Sequence, residues 1–73
     1  MQIQCIIFPK DKFTLNEARD ISQRIIKNKN TTFYKETEQS YRFRNIPKTK
    51  FNYETFRTKK LENGIALVFG ELK

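Results

Sequence analysis

Two short stretches that alternate rings with cations constrain the fold of this chain more than any other feature. Tyr41–Arg44 reads YRFR, and Phe56–Lys59 repeats the pattern as FRTK. Because successive side chains of a β-strand point to opposite faces, the alternation predicts two strands with their rings in a core. We expect the polar positions of both strands to share one exposed face, which would carry Arg42, Arg44, Arg57 and Lys59.

The remaining strands complete an α+β domain of order β-α-β-β-β-β. Apolar and β-branched runs predict five strands over Gln2–Phe8, Thr31–Glu36, Gln39–Asn45, Thr55–Leu61 and Ile65–Phe69. The first and last of these are apolar on both faces, which is typical of central strands. The chain length of 73 residues fits one domain over 1–73. We predict a single, mainly antiparallel sheet with one helix packed on a face.

The helix has a well-marked beginning. Thr14 and Glu17 stand three residues apart as a capping box, and Phe13 and Ala18 occupy the positions of a hydrophobic staple. Apolar residues then recur at helical spacing on one stripe, at Leu15, Ala18, Ile21, Ile25 and Ile26. The pattern predicts a helix over 15–28, closed by a left-handed cap at Asn28 or Asn30.

Turn residues separate the later strands. The polar residues 37–39 predict a hairpin between the second and third strands. Pro47 ends the third strand, and 47–54 is predicted to be a loop or a short helical turn that covers one end of the core. Asn63 and Gly64 predict a hairpin with a type I′ turn. The last residues, 70–73, are predicted to form a frayed or edge-lying tail.

Several of these segments resemble a small uncharacterised domain of tailed-phage and giant-virus genomes. The resemblance spans most of the chain and rests on six segments: Phe8–Lys10, Phe13–Ala18, Glu36–Glu38, Tyr41–Arg44, Phe56–Leu61 and Gly64–Ile65. The chain departs from that domain within 27–32, where the resemblance would place a glycine at the helix end. The resemblance implies a viral or prophage origin, and it brings no activity and no catalytic residues with it.

The residue types that most enzymes need are scarce. The chain has no His, a single cysteine at Cys5, and no glycine-rich phosphate loop. Ser22 and Ser40 have no recognisable base partner. Glu36 and Glu38, with Asp11, would make a metal site only if they converged, and a solvated hairpin tip is the simpler interpretation. We therefore expect no catalysis, no metal and no cofactor.

The location of the protein is predicted from what the sequence lacks. One cysteine cannot form an internal disulfide, which fits a reducing compartment. No signal peptide is recognisable, and no apolar run approaches the roughly 20 residues that cross a bilayer. We expect a protein of the host cytoplasm, with the virion as the other location and no contact with a membrane.

The charge indicates the kind of partner. Fifteen Lys and Arg against eight Asp and Glu give a net charge of +7. The predicted function is nucleic-acid binding through phosphates, with little sequence specificity, by Arg42, Arg44, Arg57 and Lys59. The alternative is a protein-interaction or virion-structural module that binds an acidic partner or self-associates as a homodimer. Glu36 and Glu54 would neutralise the cations if they paired with them. Because the rings of the strands should face the core, only Tyr34 and Tyr53 are predicted to be exposed, and base stacking is not expected.

Overall fold

The computed structural model describes residues 1–26 and 34–73, which form one α-helix and five strands. The elements are β1 (Gln2–Pro9), α1 (Leu15–Ile25), β2 (Tyr34–Glu36), β3 (Ser40–Arg44), β4 (Phe51–Lys60) and β5 (Ala66–Leu72), with a 3₁₀ helix at Lys48–Lys50. The strands form one sheet in the order β2-β3-β1-β5-β4. Every pairing is antiparallel. The predicted α+β fold, with one helix on an antiparallel sheet, is confirmed.

The strand order reflects the two-sided apolarity of β1 and β5. β1 lies at the centre of the sheet between β3 and β5, and β4 and β2 form the two edges. Since β1 and β2 both pair antiparallel with β3, they run parallel to each other with β3 between them. The edge strand β2 has three described residues and all are exposed. The central position predicted for β1, and the interior position predicted for β5, are both confirmed.

One face of the sheet, the helix face, holds the hydrophobic core. On this face Ile6 of β1 pairs with Phe43 of β3 and with Leu67 of β5. The buried cluster also includes Ala18 from α1. The rings of Phe8 and Phe43 meet edge to face, with their centroids 5.7 Å apart. The rings of β3 therefore enter the core, as the alternation in YRFR predicts.

A β-bulge in β1 changes which residues face the helix. The pairing of β1 with β5 shifts between Ile3 and Cys5, so Gln4 is an extra residue on the β1 side. Strict alternation would group Ile3 with Cys5 and Ile7, but Ile3 packs instead against the core cluster on the helix face. The side chains of Gln4 and Cys5 both lie on the opposite side of the sheet.

The predicted capping box is present at the start of α1. The backbone N–H of Glu17 donates to Thr14 Oγ1 at 3.2 Å, and the backbone N–H of Thr14 donates to Glu17 Oε1 at 3.0 Å. The hydrogen bond from the Thr14 backbone, helped by its hydroxyl, holds the pKa of Glu17 below its ordinary value. Because the pKa of Glu17 is lower in the folded state than in the unfolded state, its ionised carboxylate stabilises the fold at neutral pH. This stabilisation is lost as the pH falls through the lowered pKa.

The helix is shorter than predicted. Its last residue is Ile25, and Ile26 has extended backbone (φ −102°, ψ 99°) while its N–H donates to Ser22 O. This geometry directs Ile26 into the core, where it is buried. The proposed caps at Asn28 and Asn30, and the predicted start of β2 at 31–33, lie outside the described residues.

Replacing the N-cap residue gives a first test of this local structure. Thr14→Ala removes the acceptor for the Glu17 N–H and should lower the free energy of unfolding by about 1 kcal/mol. Thr14→Ser keeps the hydroxyl and should stay close to the parent. Urea unfolding followed by circular dichroism measures both variants. Equal losses in the two would show that the hydroxyl does not cap the helix.

The region from 47 to 72 differs from the prediction at two places. The short helical turn is present at Lys48–Lys50, but β4 already begins at Phe51. Phe51 pairs with Leu72, and Asn52 pairs with Glu71, so the residues predicted to be a tail extend β5 instead. The two extensions support each other because each supplies the backbone partner that the other needs.

The hairpin between β4 and β5 is present, but its turn is not type I′. A type I′ turn needs positive φ at both central residues. Gly64 has φ +92°, but Asn63, like every other non-glycine residue that the structure describes, has negative φ. The N–H of Gly64 donates to Leu61 O and the N–H of Leu61 donates to Ile65 O, which makes a three-residue loop. Asn63 Oδ1 accepts from the Ile65 N–H, so Asn63 turns the chain through its side chain.

Candidate functional site

The face of the sheet opposite α1, the open face, carries most of the strand cations. One row of paired residues crosses it from edge to edge, and its members are Lys60, Ala66, Ile7, Arg42 and Lys35. The next row on the same face contains Thr58, Val68, Cys5 and Arg44. The centre of the open face is therefore apolar, and basic residues lie on both sides of it.

The four cations predicted to share one face are divided between the two faces. Arg42 and Arg44 lie on the open face, as predicted. Lys59 pairs with Leu67, and Arg57 pairs with Phe69, so both lie on the helix face and the prediction of a single four-cation stripe is wrong. Arg57 also donates from Nη1 to the carbonyl oxygen of Phe56 at 2.8 Å.

An irregularity in β4 explains this division. Between the paired positions Asn52 and Arg57 the chain advances five residues, while the partner strand advances only from Glu71 to Phe69. The excess residues leave the ladder, so alternation counted from the core rings of β3 does not carry over to β4. Phe56 was predicted to enter the same core as Phe43, but its ring lies on the open face instead.

The displaced segment builds a second, smaller group of rings. Phe51 is fully buried, and its ring centroid lies 5.5 Å from that of Phe56. The Tyr53 ring stacks on the Phe56 ring, with their centroids 5.8 Å apart and an interplanar angle of 21°. Both phenylalanine rings pass close over Gly70, where a Cβ atom would stand 2.8 Å from Phe51 Cδ1 and 3.0 Å from Phe56 Cδ1. A residue without a side chain at 70 lets the rings approach β5.

A groove runs along the open face between these rings and the arginines. It consists of two adjoining hollows of about 480 and 640 Å³ that share Gln4, Cys5, Arg42 and Lys48. The first hollow is also lined by Ile7, Tyr53, Phe56 and Val68. The second extends toward the β2 edge and is also lined by Tyr34, Lys35, Arg44, Pro47 and Thr49. No carboxylate lines either hollow among the described residues.

The bulge in β1 positions Lys48 beside the groove. The backbone oxygen of Gln4 accepts hydrogen bonds from the N–H groups of Asn45 and Ile46. Gln4 Nε2 donates to Ile46 O at 3.0 Å, and Asn45 Nδ2 donates to Ile3 O at 2.8 Å. These bonds hold the chain leaving β3 against the end of β1. The 3₁₀ helix that begins at Lys48 then directs this lysine to the hollows.

Three cations on or beside the open face were missed by sequence reasoning. Lys35, Lys48 and Lys60 were not assigned to any functional surface. Lys35 had a usable signal, because it mirrors Arg42 across the predicted hairpin turn at 37–39. Lys60 and Lys48 had none, since their positions depend on the irregular pairing of β4 and on the contacts of the β1 bulge.

The exposed tyrosines are located as predicted. Tyr34 is 40% exposed and Tyr53 is 58% exposed. Each stacks on a phenylalanine, and the Tyr34 and Phe43 centroids are 5.5 Å apart at 21°. Tyr34 and Phe43 are paired on the helix face, so Tyr34 borders the groove only from the sheet edge, whereas Tyr53 and Phe56 line its first hollow.

The acidic residues considered as neutralising or metal-binding groups do not converge on the groove. Glu36 Oε2 accepts a hydrogen bond from Lys10 Nζ at 2.7 Å. The same Lys10 Nζ lies over the Tyr41 ring, 5.2 Å from its centroid. Tyr41 and Glu36 are paired on the helix face, away from Arg42. Within 1–26 and 34–73 no group of three or more His, Cys, Asp or Glu is arranged to hold a metal ion.

The one thiol of the chain lies at the floor of the groove. Burial raises the pKa of Cys5, and the positive charges of Arg42 and Lys48 offset part of that rise. A thiol with a raised pKa is mostly protonated near neutral pH and is a weak nucleophile. The groove is therefore suited to holding a ligand by charge, shape and ring contacts. The absence of enzymatic activity stays a prediction.

Searches against protein-family models, curated proteins and solved structures find no match to the chain. In the described residues, no helix combines the length and the apolar composition that crossing a membrane requires.

Proposed function

We propose that this domain binds nucleic acid through the phosphate backbone, with little sequence preference, and that the open face is the contact surface. The observation that carries the proposal is the convergence of four cations, Lys35, Arg42, Arg44 and Lys48, on a groove lined by no described carboxylate. Phosphates are recognised by such clusters, and Arg can hold one bidentately.

The spacing of the two arginines suits successive contacts along one strand of a polyanion. Arg42 and Arg44 are two residues apart on β3 and point to the same side, which places their Cα atoms roughly 6.8 Å apart. Both are exposed, so their binding to phosphate does not require the core to open. The net charge of +7 adds a long-range attraction that would speed association.

The test is a titration at several salt concentrations with the Arg42→Ala, Arg44→Ala double variant. At about 50 mM salt the parent should bind both single-stranded and duplex oligonucleotides, and affinity should fall steeply toward about 200 mM. The double variant should lose roughly tenfold in affinity per lost phosphate contact at low salt, and its salt slope should fall by about two units. Unrelated sequences should be affected alike.

Two charge-matched controls locate the contact. Arg19→Ala with Arg24→Ala removes the same charge from the exposed side of α1 and should leave the salt slope unchanged. Arg57→Ala with Lys59→Ala removes it from the helix face of β4 and should have a smaller effect than the Arg42 and Arg44 pair. An equal effect in all three double variants would show that net charge, and not the open face, determines binding.

An acidic protein surface is the competing partner, because the same cations would attract carboxylates. If the parent binds no oligonucleotide at low salt but binds a polyglutamate peptide through Arg42 and Arg44, the nucleic-acid proposal is wrong. The half-buried residues Ile7, Ala66 and Val68 on the open face would favour self-association, which sedimentation equilibrium measures. The viral origin implied by the sequence resemblance, and with it a place in a host cytoplasm or a virion, remains part of the proposal.

A further inference from the structure

The open face brings an exposed tyrosine, a half-buried phenylalanine and cations to the same groove, which strict strand alternation would forbid. Tyr53 and Phe56 line its first hollow together with Arg42 and Lys48. The irregular segment of β4 makes this possible, because it turns Phe56 away from the core that Phe43 occupies. A ligand in the groove would contact a flat aromatic surface and positive charges at once.

Resting on the binding function proposed above, we infer that the groove selects single-stranded nucleic acid. Tyr53 stacks a base over the Phe56 ring, while Arg42 and Lys48 bind the flanking phosphates. Single strands offer unpaired bases with exposed π faces, and stacking on aromatic side chains accepts any base. A duplex hides those faces in its own stack and would present only phosphates to this surface.

The aromatic platform is ordered before a ligand arrives. Phe51 is buried to 0% exposure and supports the Phe56 ring from beneath, while the Tyr53 ring lies nearly parallel on Phe56 and stays 58% exposed. The Tyr53 ring is thus held in one orientation with much of its surface open to solvent. A pre-ordered platform loses little side-chain entropy on binding.

A flat ligand can reach the Tyr53 ring. Lys73 Nζ lies 5.8 Å from the centre of that ring, which places a flexible side chain near it. A base that stacks on Tyr53 would displace this lysine, and the displaced ammonium group could then contact a phosphate of the same strand. The apolar floor of the first hollow, formed by Cys5, Ile7 and Val68, would accommodate a base or sugar edge beside Tyr53.

The groove fits a single-stranded nucleic acid better than an acidic peptide. A peptide rich in Asp or Glu would use the cations but would have no flat group to match Tyr53 and Phe56. The combined hollows also extend from the ring platform past Arg42 to Lys35 and Arg44. Several nucleotides in sequence would therefore meet rings at one end and cations at the other, the arrangement that single-strand binders use.

The experiment compares three ligands of equal charge: an oligothymidylate of about twelve nucleotides, an abasic strand of the same length, and a short hairpin duplex. Fluorescence anisotropy measures affinity. The intact strand should bind the parent roughly 5- to 150-fold more tightly than the abasic strand, which corresponds to one stacked base. NMR should show upfield shifts of the Tyr53 ring protons with the intact strand and none with the abasic strand.

Two tyrosine variants assign the effect to one ring. Tyr53→Leu should remove most of the preference for the intact over the abasic strand, and Tyr53→Phe should keep it. Tyr34→Leu removes a tyrosine at the far edge that is also stacked on a phenylalanine and exposed, and it should keep the preference as well. If Tyr34→Leu abolishes the preference and Tyr53→Leu does not, the assignment of the base to Tyr53 is overturned.

Failure of this inference is distinct from failure of the phosphate-binding proposal. Equal affinity for the three ligands, with loss on Arg42→Ala and Arg44→Ala, would overturn the stacking inference and leave phosphate binding in place. No binding of any of the three at low salt would overturn both. Binding of a polyglutamate peptide alone would overturn both in favour of an acidic protein partner.

Discussion

Phe8→Ala is expected to leave the domain largely unfolded at room temperature. Phe8 has no exposed surface, and its ring contacts Phe13 and Phe43 edge to face at centroid distances of 5.5 and 5.7 Å. Emptying such a site costs about 3–5 kcal/mol, because the lost burial is joined by the cost of a cavity. A single core in a domain of this size supplies roughly 3–5 kcal/mol in total, so little stability would remain.

Circular dichroism during urea unfolding measures this effect, because the chain has no Trp to report by fluorescence. Phe8→Leu fills most of the site and should retain a cooperative transition at a lower midpoint. Tyr53→Ala removes a ring of similar size from an exposed position and should change the midpoint much less. If Phe8→Ala unfolds cooperatively at nearly the same urea concentration as the parent, the helix-face cluster is not what stabilises this fold.

Gly70→Ala is expected to destabilise the domain through a contact on the open face. Its Cβ would stand 2.8 Å from Phe51 Cδ1, closer than carbon atoms pack, and Phe51 is fully buried. Overpacking of this kind costs about 1–3 kcal/mol, which outweighs the roughly 0.4–1 kcal/mol that Gly→Ala gains from a less flexible unfolded chain. The displacement of the rings would also move the Phe56 ring, on which Tyr53 stacks.

A double-mutant cycle separates this contact from other causes. Phe51→Leu shortens the buried side chain, so Gly70→Ala should cost less in that background than in the parent. Gly64→Ala is the matched comparison, because its cost comes from φ +92° and should not depend on Phe51. If Gly70→Ala is equally costly in both backgrounds, the crowding of Phe51 is not its cause.

Local patterns gave most of the architecture. The capping box at Thr14 and Glu17, the ring alternation of β3 and the two-sided apolarity of β1 and β5 each depend on neighbouring residues, so they were visible in the sequence. The hairpin at 61–65 was visible for the same reason, although its turn type was not. Turn type depends on how many residues separate the last paired positions, Leu61 and Ile65, and on the hydrogen bond from the Ile65 N–H to Asn63.

The candidate site was only half visible. Arg42 and Arg44 were placed on the correct face because β3 alternates regularly and Phe43 between them points into the core. Arg57 and Lys59 were misplaced because their parity was counted from Phe56, on the assumption that all rings enter one core. The irregular segment between Asn52 and Arg57 gives Phe56 a separate cluster with Phe51 over Gly70.

The sequence alone therefore determined the fold class, the helix start, the core rings of β3 and the excess of positive charge, since these follow from composition and from spacing within single elements. Strand order, the faces of β1 and β4 and the assembly of the groove were decided by tertiary structure. A bulge changes the side of every residue that follows it, and whether a bulge forms depends on partners distant in the chain, such as Asn45 beside Gln4 and Gly70 beneath Phe51.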